Sequence, residues 1–230
     1  MCLYRKVLVN YMQIKLRDPG SVITHFIGII LALIAAVPLI AKSAFMHDST
    51  ATLAMIIFMI SMALLYTAST VYHSITSSPK IIKIFKKIDH IMIFYLIAGT
   101  YTPICLIALP KEPGESGLNL LIAVWSIALV GTIVKAFWVT CPKWVSSIIY
   151  IAMGWACIGV IFDLYAILTP LSFYTLLAGG IIYTVGGIIY ALKLSVFNNK
   201  HKYFGSHEVF HLFVMGGSIC HYLCMYCLIK

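Results

Sequence analysis

Acidic side chains are scarce: only 7 Asp and Glu occur among 230 residues, and all charged types together make up 10%. A soluble domain carries about 25% charged residues, so a water-exposed globule is excluded. Alternating apolar and polar residues over segments of about 10, the mark of a transmembrane barrel strand, are also missing. No cleavable leader is visible. The first 20 residues hold Arg5, Lys6, Lys15 and Arg17 and lack a continuous apolar core before a small-residue cleavage site, so the first span is expected to act as its own uncleaved signal. Internal repeats and low-complexity tracts are absent. The seven cysteines (Cys2, Cys105, Cys141, Cys157, Cys220, Cys224 and Cys227) form no disulfide framework. Cys224 and Cys227 make a single CxxC without a second pair or a redox-fold context, so the thiols read as small apolar side chains.

What the chain has is apolar length. It is 62% hydrophobic, with a mean hydropathy of +1.00. Seven stretches approach the roughly 20 residues that a helix needs to cross a bilayer: Val22–Ala41, Thr50–Tyr72, His90–Leu109, Leu118–Thr140, Val145–Leu168, Leu171–Leu192 and His207–Leu228. The pattern predicts an all-α, polytopic protein of the cell membrane. Residues 1–230 read as a single seven-helix transmembrane domain, with 1–21 as a short basic segment ahead of it. Pro38 and Pro103 are placed to kink spans one and three near their outer ends.

The formal charge of +9 raises a nucleic-acid reading, and its distribution argues against one. Lys and Arg divide between alternate connectors, 13 of 16 falling on one side. They occupy the N-terminal segment, the run Lys80, Lys83, Lys86 and Lys87, the positions Lys135 and Lys143, and the group Lys193, Lys200 and Lys202. The other side has Lys42, Lys111 and Lys230. By the positive-inside rule the N-terminus is cytoplasmic and, after seven spans, the C-terminus external.

Ionisable groups within such spans are expensive and default to a functional reading. Under this topology His73 at the end of span two, Asp89 at the start of span three, and His207 and His211 in the first turns of span seven share one depth, in the cytoplasmic leaflet. His207 and His211 lie one turn apart, about 6 Å along the axis. Tyr66, Ser69 and His73 share a face of span two, Asp89 and Thr100 a face of span three, and Ser218 and His221 continue the His207 face. Three imidazoles suit zinc and leave its fourth position open, the catalytic arrangement. Asp89 is then placed as acid or base near a water and Ser69 as a supporting hydroxyl. His221, about 15 Å beyond His211, falls to the cavity wall with Tyr66, Thr100 and Ser218. His25, one turn into span one, is expected either to line the cavity or support the site, or equally to anchor the helix at the interface. Glu208 lies off the ligand face and is expected to cap its helix or pair with a lysine. His90 is expected to point away in a structural role.

Three functions compete. The leading one is a zinc-dependent hydrolase cleaving an amide or ester bond of a membrane lipid. The second is a membrane sensor or receptor-like regulator with structural zinc. The third, a pore former that would lyse cells, is weakened because the polar stripes cluster in one leaflet.

Several segments also resemble bacterial haemolysin III proteins, within the progestin and adipoQ receptor family, whose wider superfamily includes alkaline ceramidases. They are Arg17-Asp18-Pro19, Ile23-Thr24-His25-Phe26-Ile27-Gly28, Ser69-Thr70-Val71-Tyr72-His73, Asp89-His90, Leu96-Ile97-Ala98-Gly99-Thr100-Tyr101-Thr102-Pro103, Gly205-Ser206-His207-Glu208-Val209-Phe210-His211 and Gly217-Ser218-Ile219-Cys220-His221. The resemblance implies seven helices with an inward N-terminus. It also implies zinc on His73, His207 and His211, roles for Ser69 and Asp89, and a link to lipid amide hydrolysis or membrane-lipid homeostasis. Asp18 stands where relatives often have Glu. The short N-terminal segment argues against the hormone binding of the receptor branch.

Overall fold

A computed structural model describes residues 16–46, 48–109, 116–192 and 204–229. Cys2, the basic residues up to Lys15, His47, most of the PKEPGESG connector, the group Lys193–Lys202 with His201, and Lys230 lie outside the described residues.

The described chain is helical throughout, without strands. Its helices are α1 (Pro19–Phe45), α2 (Ser49–Ser74), α3 (Pro79–Pro103), α4 (Ser116–Phe137), α5 (Lys143–Gly154), α6 (Ile161–Ile167), α7 (Pro170–Leu192) and α8 (Ser206–Leu228). Local chemistry sets their starts. Pro19 and Pro79 occupy first turns, where a missing N–H costs nothing. The Asp48 carboxylate accepts the Ala51 N–H at 3.0 Å and caps α2. Counting α5 and α6 together, seven helical segments are long and apolar enough to cross a bilayer. Their outward faces carry large apolar side chains, such as Val37 (70% exposed) and Phe162 (84%). In water such a surface would aggregate; in lipid it is matched. The protein is a multi-pass membrane protein.

The bundle builds by neighbours: α1 on α2, α2 on α3, α3 on α4, α5 on α7 and α7 on α8, with α8 closing back against α1. One close approach depends on a missing side chain. A Cβ on Gly179 of α7 would come within 2.7 Å of the His221 ring of α8.

Two elements depart from the sequence reading. The basic stretch after Ser78 is not a loop: α3 begins at Pro79, so Lys80, Lys83, Lys86 and Lys87 lie in its first turns. Their helical spacing, interleaved with Ile81, Ile84 and Ile88, makes the segment amphipathic. Span five is not continuous. α5 stops at Gly154, a tight turn of 3₁₀ type runs from Ala156 to Val160, and α6 resumes at Ile161. Gly154 and Gly159 weaken the helix there, and a side chain replaces the lost ladder. Tyr101 Oη donates to Gly154 O at 2.7 Å and accepts the Cys157 N–H at 3.0 Å. Trp155 Nε1 donates to Thr184 Oγ1 on α7 at 2.8 Å. Irregular backbone at membrane depth survives where protein satisfies it. Past Pro103, α3 runs on into a π-helical turn, Ile104–Ala108.

Candidate metal centre

α2 brings His73, and the first turns of α8 bring His207 and His211, to one point. One ring nitrogen from each lies within 4.8 Å of the other two, a spacing able to hold a metal ion. His73 and His211 are buried, at 3% and 2% exposure.

The hydrogen-bond partners settle which nitrogens are free. His73 Nδ1 lies 2.9 Å from Asp18 Oδ2. A carboxylate only accepts, so Nδ1 carries the proton and Nε2 keeps its lone pair. His211 Nδ1 lies 3.0 Å from Thr24 Oγ1. The single Thr24 hydroxyl proton is directed to the carbonyls of Gly20 and Ser21, so Thr24 accepts from His211 Nδ1, and His211 Nε2 is free as well. His207 Nε2 faces His73 Nε2 at 3.0 Å. Two nitrogens bound to one tetrahedral zinc stand about 3.3 Å apart, from Zn–N bonds of about 2.0–2.1 Å. The donor set therefore fits a divalent cation. Holding a ligating imidazole by its other nitrogen is the usual support in metal sites.

Those supports come from the first span. The Asp18 N–H bonds the His73 carbonyl at 3.1 Å, Arg17 bonds Asp18 at 3.0 Å, and the Arg17 guanidinium lies 4.2 Å over the Tyr72 ring. Partial burial pushes the Asp18 carboxyl up, but its bonds to His73 and Arg17 outweigh burial and hold it below the ordinary 3.8. Glu208 caps α8 by accepting the Gly205 N–H at 2.8 Å, and its other oxygen accepts from Ser21 of α1. Its partner is thus a serine on the first span rather than a lysine.

A cavity of about 150 Å³, measured as room for the centres of water-sized molecules, borders the cluster. His207, His211, Asp89 and Ser69 line it; His73 does not and sits behind. The Ser69 hydroxyl stands beside the Asp89 carboxyl without closing a hydrogen bond of normal geometry. His25 lines the same wall, stacked on His211 with ring centroids 3.6 Å apart, and neither of its ring nitrogens has a protein partner. Thr100 and His221 also line the cavity. Tyr66 and Ser218 pack beside it rather than in it: Tyr66 Oη donates to Ser218 Oγ at 2.8 Å, and Tyr183 Oη meets the same oxygen at 2.8 Å. His90 also reaches the cavity. The lining arc of α3 is broader than one polar stripe, since Asp89, Ile93, Leu96 and Ile97 share it. α4 contributes no residue to the lining.

Sequence reasoning gave no role to Asp18 and Thr24, the partners of two ligand imidazoles. The available signal was position: both stand at the start of α1, at the end of the bundle where α2 finishes and α8 begins.

Seven apolar spans, six of which line a shared cavity, define a polytopic membrane protein with a three-histidine cluster able to hold a metal ion. Residues 14–222 match the family model described as haemolysin-III related. The chain is 42% identical over 218 residues to hemolysin-3 of Bacillus cereus, covering 95% of this chain and 94% of the relative. It is 40% identical over 210 residues to a hemolysin-3 homolog of Bacillus subtilis (strain 168), covering 90% and 93%. The chain belongs to the haemolysin III family.

Proposed function

We propose that the protein is a zinc-dependent hydrolase of lipid amide or ester bonds, serving membrane-lipid homeostasis from the cytoplasmic leaflet. The observation that carries this reading is the open side of the histidine cluster: His207 and His211 border a cavity whose wall also holds Asp89 and Ser69. Three nitrogen ligands leave a fourth tetrahedral position, the arrangement of catalytic rather than structural zinc. Zinc held by His73, His207 and His211 would supply Lewis acidity to a carbonyl and lower the pKa of water to about 7. The remaining work belongs to the chain. Asp89 takes the proton of the attacking water and passes it to the departing amine or alcohol. Ser69 donates a hydrogen bond to the oxygen that gains charge. Leu65, Ile93, Leu96 and Phe210 hold the lipid's apolar part and exclude bulk water. The cytoplasmic placement rests on the partition of Lys and Arg.

The test is metal analysis of purified wild type and His211→Ala, coupled to lipid profiling of the same cells. Zinc in the wild type at one ion per chain, lost with His211, and a lipid class that accumulates in the mutant support the reading. Wild type without metal, or lipid turnover unchanged by His207→Ala, overturns it. A second reading, a sensor with structural metal, draws on the interrupted fifth span, because the break at Trp155 borders the cavity. Asp89→Asn separates the two. A hydrolase keeps its metal and loses turnover, whereas a sensor keeps both metal and lipid balance.

A further inference from the structure

A second cluster of reactive groups lies apart from the histidines, at the turn between α4 and α5. Lys135, in the last turn of α4, is 1% exposed. Its Nζ lies 3.0 Å from Cys141 Sγ and also bonds Ser146 Oγ, in the first turn of α5. Cys141 Sγ lies 3.1 Å from the same Ser146 oxygen. Among the described residues no carboxylate forms an ion pair with Lys135. A buried cation needs an anion, and the one ionisable acid that Lys135 touches in this triangle is the Cys141 thiol. Cys141 is half-buried, so a reagent can reach it.

We infer that Cys141 is a modification site: a reactive thiolate, paired with Lys135 and Ser146, that forms mixed disulfides with low-molecular-weight disulfides. Burial pushes the thiol up, but the bonds from Lys135 and Ser146 outweigh it, and with Lys86 nearby the thiol lies below its ordinary 9.0. Electropositive, partly exposed surroundings are what separate reactive cysteines from inert ones. The other described cysteines have no such surroundings: Cys105 and Cys224 are buried in apolar helices, and Cys157, Cys220 and Cys227 are half-buried in the spans.

The chemistry is thiol–disulfide exchange. The Cys141 sulfur attacks one sulfur of the small disulfide, a new S–S bond forms, and the old one breaks. The departing half leaves as a thiolate with the electron pair, and the proton from Cys141 goes to solvent. Cys141 is oxidised and the departing half is reduced. The product leaves Lys135 without its anion. Ser146 lines the central cavity, and one turn on, Tyr150 Oη donates to the His90 carbonyl at 2.9 Å. The modified turn is thus joined to the cavity wall, whatever reaction the cavity supports.

The test uses the full chain in membrane vesicles, bis(2-hydroxyethyl) disulfide as an uncharged probe, and site-resolved mass spectrometry. At pH 7 Cys141 should react about threefold faster than the same residue in the detergent-unfolded chain. The gain in thiolate fraction is partly offset by the lower nucleophilicity of an acidified thiol. It should also outpace the five other described cysteines. Lys135→Met should abolish the enhancement and Lys135→Arg should keep it. A Cys141 rate equal to that of the unfolded thiol overturns the inference, as does a folded Lys135→Met that reacts like wild type. If Lys135→Met does not insert, the folded-against-unfolded comparison in the wild type decides.

Discussion

Asp18 Oδ2 stands 2.9 Å from Nδ1 of His73, across 55 residues of sequence, and this bond sets which nitrogen of His73 is free to meet a metal. Asp18→Asn keeps a hydrogen-bond acceptor and loses the charge. Metal affinity should fall about 10–100-fold, the usual cost of losing an outer-shell carboxylate. Competition titration against a chromophoric chelator measures it, and unchanged affinity would remove Asp18 from the site.

The same pair has a pH signature. The Asp18 carboxyl is held below 3.8 in the folded protein, so its contribution to stability is fully present above that value. It is lost as the pH falls through the lowered folded value, because only the folded state resists protonation. The stability gap between wild type and Asp18→Asn should therefore be flat above about pH 5 and shrink on further acidification. Unfolding curves in detergent at stepped pH test this. A gap that widens in acid contradicts the assignment. Asp18's side chain is 41% exposed, so the gap should also narrow with added salt.

Tyr101→Phe strips the hydroxyl that bridges the interrupted fifth span. The Gly154 carbonyl and the Cys157 N–H then lose a partner at membrane depth, which should cost about 1–3 kcal/mol. Thermal unfolding in detergent measures the loss, and metal content should stay at the wild-type level, since Tyr101 touches none of the three histidines. No change in stability would mean that the break is satisfied by other means.

Gly179→Ala should destabilise the α7–α8 packing by about 1–3 kcal/mol, because the new methyl would lie 2.7 Å from the His221 ring. His221→Ala opens that space. The double substitution should be clearly more stable than the sum of the two singles predicts. Strict additivity in a double-mutant cycle would show that the two residues do not meet.

The fold was legible because lipid imposes a coarse rule: a span must be long and apolar, and seven segments obey it. Fine structure escaped the same rule. The break at Gly154 does not interrupt the hydropathy of span five, since the Tyr101 hydroxyl that makes it tolerable comes from another helix. The start of α3 was hidden because Lys80 to Lys87 are polar enough to suggest a loop, while their helical spacing carries the actual signal. In the site, i, i+4 spacing and shared depth pointed to His73, His207 and His211 together. Asp18 and Thr24 act by hydrogen-bonding ligands on other helices, and a polar residue at a helix start has several ordinary explanations. His90 shows the limit of single-stripe reasoning, since a cavity wall can take a broader arc of a helix than one polar row.

Thr24 supports His211, and Ser21 meets Glu208, each pair separated by 187 residues. The first span to enter the membrane therefore carries groups whose partners are synthesised last. During biosynthesis the early spans can insert and pack while the three-histidine cluster remains unbuilt, and the arrival of α8 completes it. A nascent chain lacking the seventh span would hold His73 alone of the three histidines, so the cluster is absent from every intermediate of insertion.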